Sequence, residues 1–362
     1  MVAQRLRTQR LASAPLATPA EAVRLLTCVQ AQERDHAFFS LGLRSDATTY
    51  HAVRAAFDRG DFLRVHILRP TWHFVLPEDL RWILRLTSPR VKRSMAARHR
   101  ELGLDDARTV DAAIAALGEL IAGRSYLTRA EIGVEFSARG RGLLQPGAQL
   151  GHLLMIAELE GVVCSGPLKG VQHSYALVDE VVPAAAELDH DEALRRLVHR
   201  FFAGHGPASV ADFTRWSSLT ADDARRALAE IGDQLDKVTV DGVEQWFDPA
   251  LVPAPTRAAA AAWLLPVYDE AVLTYRRLGF ATLPDHPHPD RPDPFWAPVI
   301  HQRTNVGMWK RSVSRHRVTV QTQLAQSLDK AARAAIVRAA SRLADFLQLP
   351  LDYTEGAGSP PP

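Results

Sequence analysis

Two glutamines separated by one residue, Gln30-Ala31-Gln32, stand just ahead of a run of charged and titratable groups, Glu33, Arg34, Asp35 and His36. A glutamine carboxamide accepts hydrogen bonds at its oxygen and donates them from its nitrogen. A pair can therefore place a water or lie against developing charge, although neither is a strong base. Side chains at i and i+2 face apart on a helix and together on extended backbone, so joint action requires the chain to leave the helix there. Taken alone, an arbitrary pair of this kind reads as solvated polar residues at a helix terminus.

Other candidates are set among longer patterns. His73, beside Trp72 on an expected strand, reads as a packed or hydrogen-bonding residue rather than a catalyst, and as a candidate contact to a polyanion together with Arg69. Arg69 is a candidate phosphate contact, and so is Lys169 in the loop 166–170, a hairpin of the kind that enters a minor groove. Lys310 and Arg311 belong to a stretch, 296–328, with five basic residues and no acid. A second stretch, 64–101, has nine basic residues against Glu78, Asp79 and Glu101. Such patches suit DNA phosphates, although a solvated basic face has the same composition. Glu33 and Asp35 are within reach of the glutamines, yet a surface ion pair with Arg34 is the simpler expectation.

Asp285-His286-Pro287-His288-Pro289-Asp290 has the residue types of a metal site, but its interleaved prolines suit an exposed loop, and no metal is expected. The adjacent carboxylates of Tyr268-Asp269-Glu270 read as anchors for the C-terminal part through Arg276 or Arg277 rather than as magnesium ligands. Neither a P-loop nor a dinucleotide fingerprint nor a nucleophile elbow occurs, so no nucleotide cofactor is implied.

These groups sit in a chain of 362 residues, 47% hydrophobic, which is enough for two to four ordinary modules with real cores. Its two cysteines, Cys28 and Cys164, offer neither a zinc pattern nor a disulfide framework. The N-terminus lacks the apolar core of a signal peptide, and no apolar run is long enough to span a membrane. A cytoplasmic monomer is the expectation. A net charge of +2 is close to neutral, so charge distribution rather than balance is what points to a polyanionic partner.

Positioning the glutamines falls to a helix opened by Thr18-Pro19-Ala20-Glu21, a capping box with proline in the first turn, and ending near Gln30. A helix over 50–59, strands over 62–68 and 71–76, and a helix over 78–87 follow. The outline recurs. A helix starts at Leu127-Thr128-Arg129-Ala130-Glu131-Ile132, another covers 145–160, and a hairpin joins 161–164 to 175–178. In the third copy, helices begin at Ala208 and at Thr220, and a hairpin over 237–247 turns at Asp241-Gly242. Beyond Pro253, an apolar segment, two or three alternating strands over 299–324 and a helix over 329–347 complete the chain.

The expected class is α+β, with three tandem winged-helix motifs (1–105, 106–185 and 186–255). A β-rich, barrel-like C-terminal module with a terminal helix (256–355) and a loose tail (356–362) follow. A winged helix does not by itself separate an enzyme from a regulator.

Several segments, in order, resemble the AlkZ/YcaQ-like DNA glycosylase family. They are 25–36 with Gln30-Ala31-Gln32, Leu68-Arg69-Pro70-Thr71-Trp72-His73-Phe74, 158–167, 205–213, Leu265-Pro266-Val267-Tyr268-Asp269-Glu270 and Gly307-Met308-Trp309-Lys310-Arg311. The resemblance runs from about residue 11 to 353. It implies a tandem winged-helix enzyme acting on alkylated double-stranded DNA, with no cofactor and with Gln30 and Gln32 as the catalytic element. Where many members read Arg-Gly-Thr-x-His, this chain has Pro70, which removes a donor and backbone freedom beside Arg69 and His73. The expected activity is monofunctional hydrolysis of the N-glycosidic bond of N7-alkylated, cationic purines, interstrand crosslinks included. The alternative is a non-catalytic winged-helix DNA-binding protein or transcription regulator. The expected helices 145–160 and 220–231 carry few base-reading side chains, which does not favour that alternative.

Overall fold

The computed structural model describes residues 1–138, 147–184, 186–254, 262–276, 279–287 and 295–356. The chain forms two compact units. One is assembled from Met1–Arg54, Arg200–Asp212 and the chain from Gly232 onward, the other from Ala55–His199 and Phe213–Ile231.

In the first unit, the helix Pro19–Leu26 begins as its sequence dictates. The Thr18 side chain accepts the Glu21 amide at 3.2 Å, while Glu21 reaches back to the amide of Ala17 at 2.9 Å. Ala22, Val23 and Leu26 are buried along one face. The helix stops four residues before the expected end. Thr27 takes φ +65° and ψ −53°, the strained γ-turn region, and the chain continues as the strand Cys28–Gln30. The next helix, Arg34–Gly42, buries Phe38 and Phe39.

The C-terminal part of this unit is an open sheet in the order Leu351–Gly356, Val318–Leu324, Thr304–Val313, Ala297–His301, Ala262–Leu264. Ala281–Thr282 pairs beside Thr304–Val313. The expectation of a barrel-like module is corrected here, because among the described residues no strand pair joins the two edges. The helix Lys330–Leu347, capped by Asp329, packs on the sheet and returns the chain to the parallel edge strand Leu351–Gly356, a crossover typical of parallel pairing. The hairpin Asp236–Val240 with Val243–Phe247 turns at Asp241 and Gly242, both at positive φ, as an Asp-Gly pair favours. The tail 357–362, and His288, Pro289, Asp290 and Arg277, lie outside the described residues.

In the second unit, Leu63–His66 and Trp72–Val75 form a hairpin with His66 opposite Trp72. The helix Pro77–Glu101 follows, longer than expected because it runs through Pro89. The helices Ala107–Ile121, Arg129–Ala138 and Ala148–Leu159 pack around a core that includes Val110, Leu117, Ile132, Leu153 and Tyr175. Three strands cover it in the order Leu127–Thr128, Ser174–Leu177, Val163–Ser165. No helix among the described residues is long and apolar enough to cross a membrane.

Candidate active site

The strand ends at Gln30, whose backbone N–H donates to Glu270 Oε1 at 2.8 Å. Gln30 is 8% exposed and Glu270 fully buried. The other carboxylate oxygen accepts from Thr274 Oγ1 at 2.7 Å and lies 3.6 Å from His205 Nε2. The His205 ring stacks on Phe201 at 4.8 Å. A buried carboxyl group thus takes a bond from the main chain of the first glutamine. Gln30 Oε1 in turn accepts, at 3.4 Å, from the backbone N–H of Gln32. This long bond folds the first carboxamide back over the bend into the next helix. The chain leaves the helix before both glutamines, as their joint action requires.

The neighbouring acid is held as firmly. Arg44 Nη1 and Nη2 donate to the two oxygens of Asp269 at 2.9 and 2.7 Å, a bidentate pair with neither side chain exposed. Ser40 Oγ adds a bond to Asp269 at 2.8 Å, and Gln9 Oε1 accepts from Arg44 at 3.1 Å. The network continues from Gln9 to the Tyr275 hydroxyl and from there to the His205 carbonyl, at 2.8 and 2.7 Å. The carboxylates do anchor the C-terminal part, but the arginine is Arg44. The backbone of Arg276 instead donates to Asp212 at 2.6 Å.

On the other side of the motif, His36 Nδ1 accepts from the Val267 amide at 3.3 Å, which places the ring proton on Nε2. Burial pushes the His36 pKa down to about 3, and the nearby Arg311 charge lowers it further against Asp35. The ring is therefore neutral. Arg311 is itself desolvated, which lowers its pKa, while Asp35, Tyr50 and Glu33 oppose the shift. Asp35 accepts from Arg34 Nε at 2.9 Å and from the Tyr50 hydroxyl at 3.2 Å. Burial and the Asp35 charge push the Tyr50 pKa up.

A family model described as DNA glycosylase AlkZ-like matches residues 23–346. The chain belongs to the AlkZ-like DNA glycosylase family. An interstrand DNA cross-link repair glycosylase of Streptomyces sahachiroi is 26% identical over 248 residues, which are 65% of this chain and 66% of that protein. The matched part thus falls just short of two thirds of that relative's length. In fold, the chain is similar to the structure of the Streptomyces sahachiroi DNA glycosylase AlkZ, with a TM-score of 0.70 at 20% identity over 98% of each chain.

Of the DNA contacts expected for this AlkZ-like chain, Arg311 and Lys310 share the strand Thr304–Val313 but project to opposite faces. Arg311 follows the fully buried Trp309, whose indole N–H donates to the Leu265 carbonyl at 2.8 Å, toward the glutamine segment. Lys310 sits over the Trp296 ring at 4.8 Å. The remaining expected residues belong to the second unit. His73 is fully buried. Its Nδ1 donates to the Thr71 carbonyl at 2.9 Å, leaving Nε2 to accept from Arg69 at 3.2 Å. Lys169 pairs with both Glu131 oxygens at 3.1 Å. Asp285, from the His- and Pro-rich tract, accepts from the amide and hydroxyl of Ser327 at 2.8 and 3.1 Å. Sequence reasoning named His36 beside the motif but not its bond to Val267, missed Tyr50 as the partner of Asp35 and Arg44 as the partner of Asp269, and saw Glu270 only as an anchor. The adjacent acids after an apolar run were the one signal that led to Glu270.

Proposed function

We propose that the chain hydrolyses the N-glycosidic bond of N7-alkylated purines in duplex DNA, crosslinked purines included, and leaves an abasic site. The observation that carries the reading is Gln30 at the end of an extended strand, its main chain fixed by Glu270 and its carboxamide bonded to the amide of Gln32 at the bend that follows, in a chain of this family. An N7-alkylated purine already bears positive charge. Its C1′–N9 bond can break with the electron pair passing to the base, which departs neutral and needs no general acid. The sugar becomes oxocarbenium-like, and a water adds at C1′ and releases its proton to solvent. Carboxamide oxygens of Gln30 and Gln32 orient that water and face the developing positive charge, at a strength suited to good leaving groups only. A neutral His36 adds no positive charge against the sugar. Because water rather than a protein amine attacks C1′, the reaction is monofunctional. The helix-and-hairpin segments suit the three-copy winged-helix plan with a C-terminal module, and duplex DNA bound by a monomer.

The test is release of modified base from an N7-alkylated duplex and from an interstrand-crosslinked duplex, followed by mass spectrometry. Wild type is expected to release base, and Gln30→Ala and Gln32→Ala each to slow release by about 10²–10³-fold, as loss of one preorganised polar group does. No release by wild type, or release untouched by both substitutions, would sink the reading. One sharp class of operator in a genome-wide binding experiment, without base release, would favour a regulator.

A further inference from the structure

Arg81, Arg85, Ser88 and Lys92 recur at i, i+4, i+7 and i+11 along the helix Pro77–Glu101 and so share one face. They border a hollow of about 270 Å³ completed by Leu84, Pro89, Leu159, Glu160 and Gly161. Its lining has three cations and one acid. Two of its donors are buried without a hydrogen-bond partner among the described residues, Arg81 Nε and Ser88 Oγ, and Ser88 is only 4% exposed. Unpaired buried donors are costly and rare, so they call for an acceptor.

The acids bound to the arginines do not supply it. Asp179, 2.7 Å from Arg81 Nη2, and Glu187, 2.6 Å from Arg85 Nη2, line a different hollow, of about 310 Å³, that shares the two arginines. They brace the guanidinium groups and are absent from the lining of the first. Only Glu160, 2.5 Å from Lys92 Nζ, belongs to both the ion pairs and the hollow.

We propose that this hollow is a phosphate-binding site that takes a backbone phosphate of undamaged duplex DNA. A phosphate presents acceptor oxygens on several sides, which matches the Arg81 Nε–H, the Ser88 hydroxyl, and the charges of Arg85 and Lys92. The twelve residues from Arg81 to Lys92 carry the stripe over about 16 Å. One strand of B-DNA bears a charge every ~3.4 Å of axis, so the stripe fits a polyanion better than a lone ion. The proposal rests on a DNA-directed role and not on the chemistry at Gln30.

The test is binding to an unmodified duplex, by fluorescence anisotropy, across a salt series for wild type, Arg85→Ala and Ser88→Asp. Each variant is expected to bind more weakly whatever the sequence, with a plot of log K against log salt shallower by about one. The Arg85 side chain is half exposed, so Arg85→Ala keeps the test valid should Ser88→Asp fail to fold, and thermal melts check both. A parallel arm adds inorganic phosphate. Coincident duplex slopes, with phosphate raising the melting temperature of wild type but not of Arg85→Ala, would overturn the DNA assignment in favour of free phosphate. Coincident slopes with no phosphate effect would overturn the site itself. Because undamaged DNA offers no cationic base to release, either failure is distinct from a failure of base release.

Discussion

Glu270 meets Gln30 through the main chain, so its loss acts on the motif without removing a glutamine. Glu270→Ala leaves the Gln30 N–H buried and unpaired, and a destabilisation of about 1–3 kcal/mol is expected by denaturant titration. Single-turnover base release should slow in parallel. Glu270→Gln keeps an acceptor oxygen and should lose less of both; equal losses in the two variants would refute the bond's importance. His36 makes a pH prediction. Its folded pKa of about 3 lies below the ordinary 6.5, so the unfolded chain binds a proton that the folded chain refuses. Stability is full above about pH 6.5 and falls as the pH drops toward 3. Denaturation midpoints from pH 7 to 4 should decline less steeply in His36→Gln. The glutamine pair stands out in the sequence only through the family resemblance of the segments around it, since its spacing alone reads as solvated polar residues. Glu270's role was not, since it depends on a contact 240 residues away that no local pattern encodes.

At the scale of elements, the helix Pro19–Leu26 delivers the motif, and a close approach restricts its position. A Cβ added at Gly204 would lie 2.0 Å from the Leu25 carbonyl oxygen, a backbone atom that cannot swing aside. Gly204→Ala should therefore destabilise by at least about 1–3 kcal/mol, the cost of overpacking, and should impair base release. Gly118, inside the helix Ala107–Ile121, has only Leu177 near it, at 4.0 Å. Gly118→Ala should move the other way, by about 0.5–1 kcal/mol. Thermal melts read both, and a stable Gly204→Ala would contradict the close approach. The hairpins and most helices were legible from alternation, capping and the Asp-Gly turn. Two boundaries were not. Periodicity carried the first helix to Gln30, whereas Thr27 ends it in a backbone conformation rare for a β-branched residue. The helix expected over 78–87 instead runs on through Pro89 to Glu101, with Leu84 and Val91 buried on either side.

Over the whole molecule, the first unit draws on three separate stretches of chain. Its buried ion pair joins Arg44 to Asp269, and Phe346 of the terminal helix packs on Phe39 at 5.3 Å. Arg44→Ala should destabilise by about 3–5 kcal/mol because it strands a buried carboxylate, whereas Arg44→Met with Asp269→Leu should recover most of that loss. Denaturant titration separates the two, and equal stability of single and double variants would show that the pair carries no burden of charge. This discontinuity was illegible in a linear reading of consecutive modules, since chain order alone does not say which stretches share a core. The bond from Gln30 to Glu270 gives it a temporal meaning. On the ribosome the glutamine strand is made early and its anchor late, so the nascent polypeptide lacks this bond until most of synthesis is over. If the glutamines act as proposed, an unfinished copy released by premature termination would carry them yet release no base.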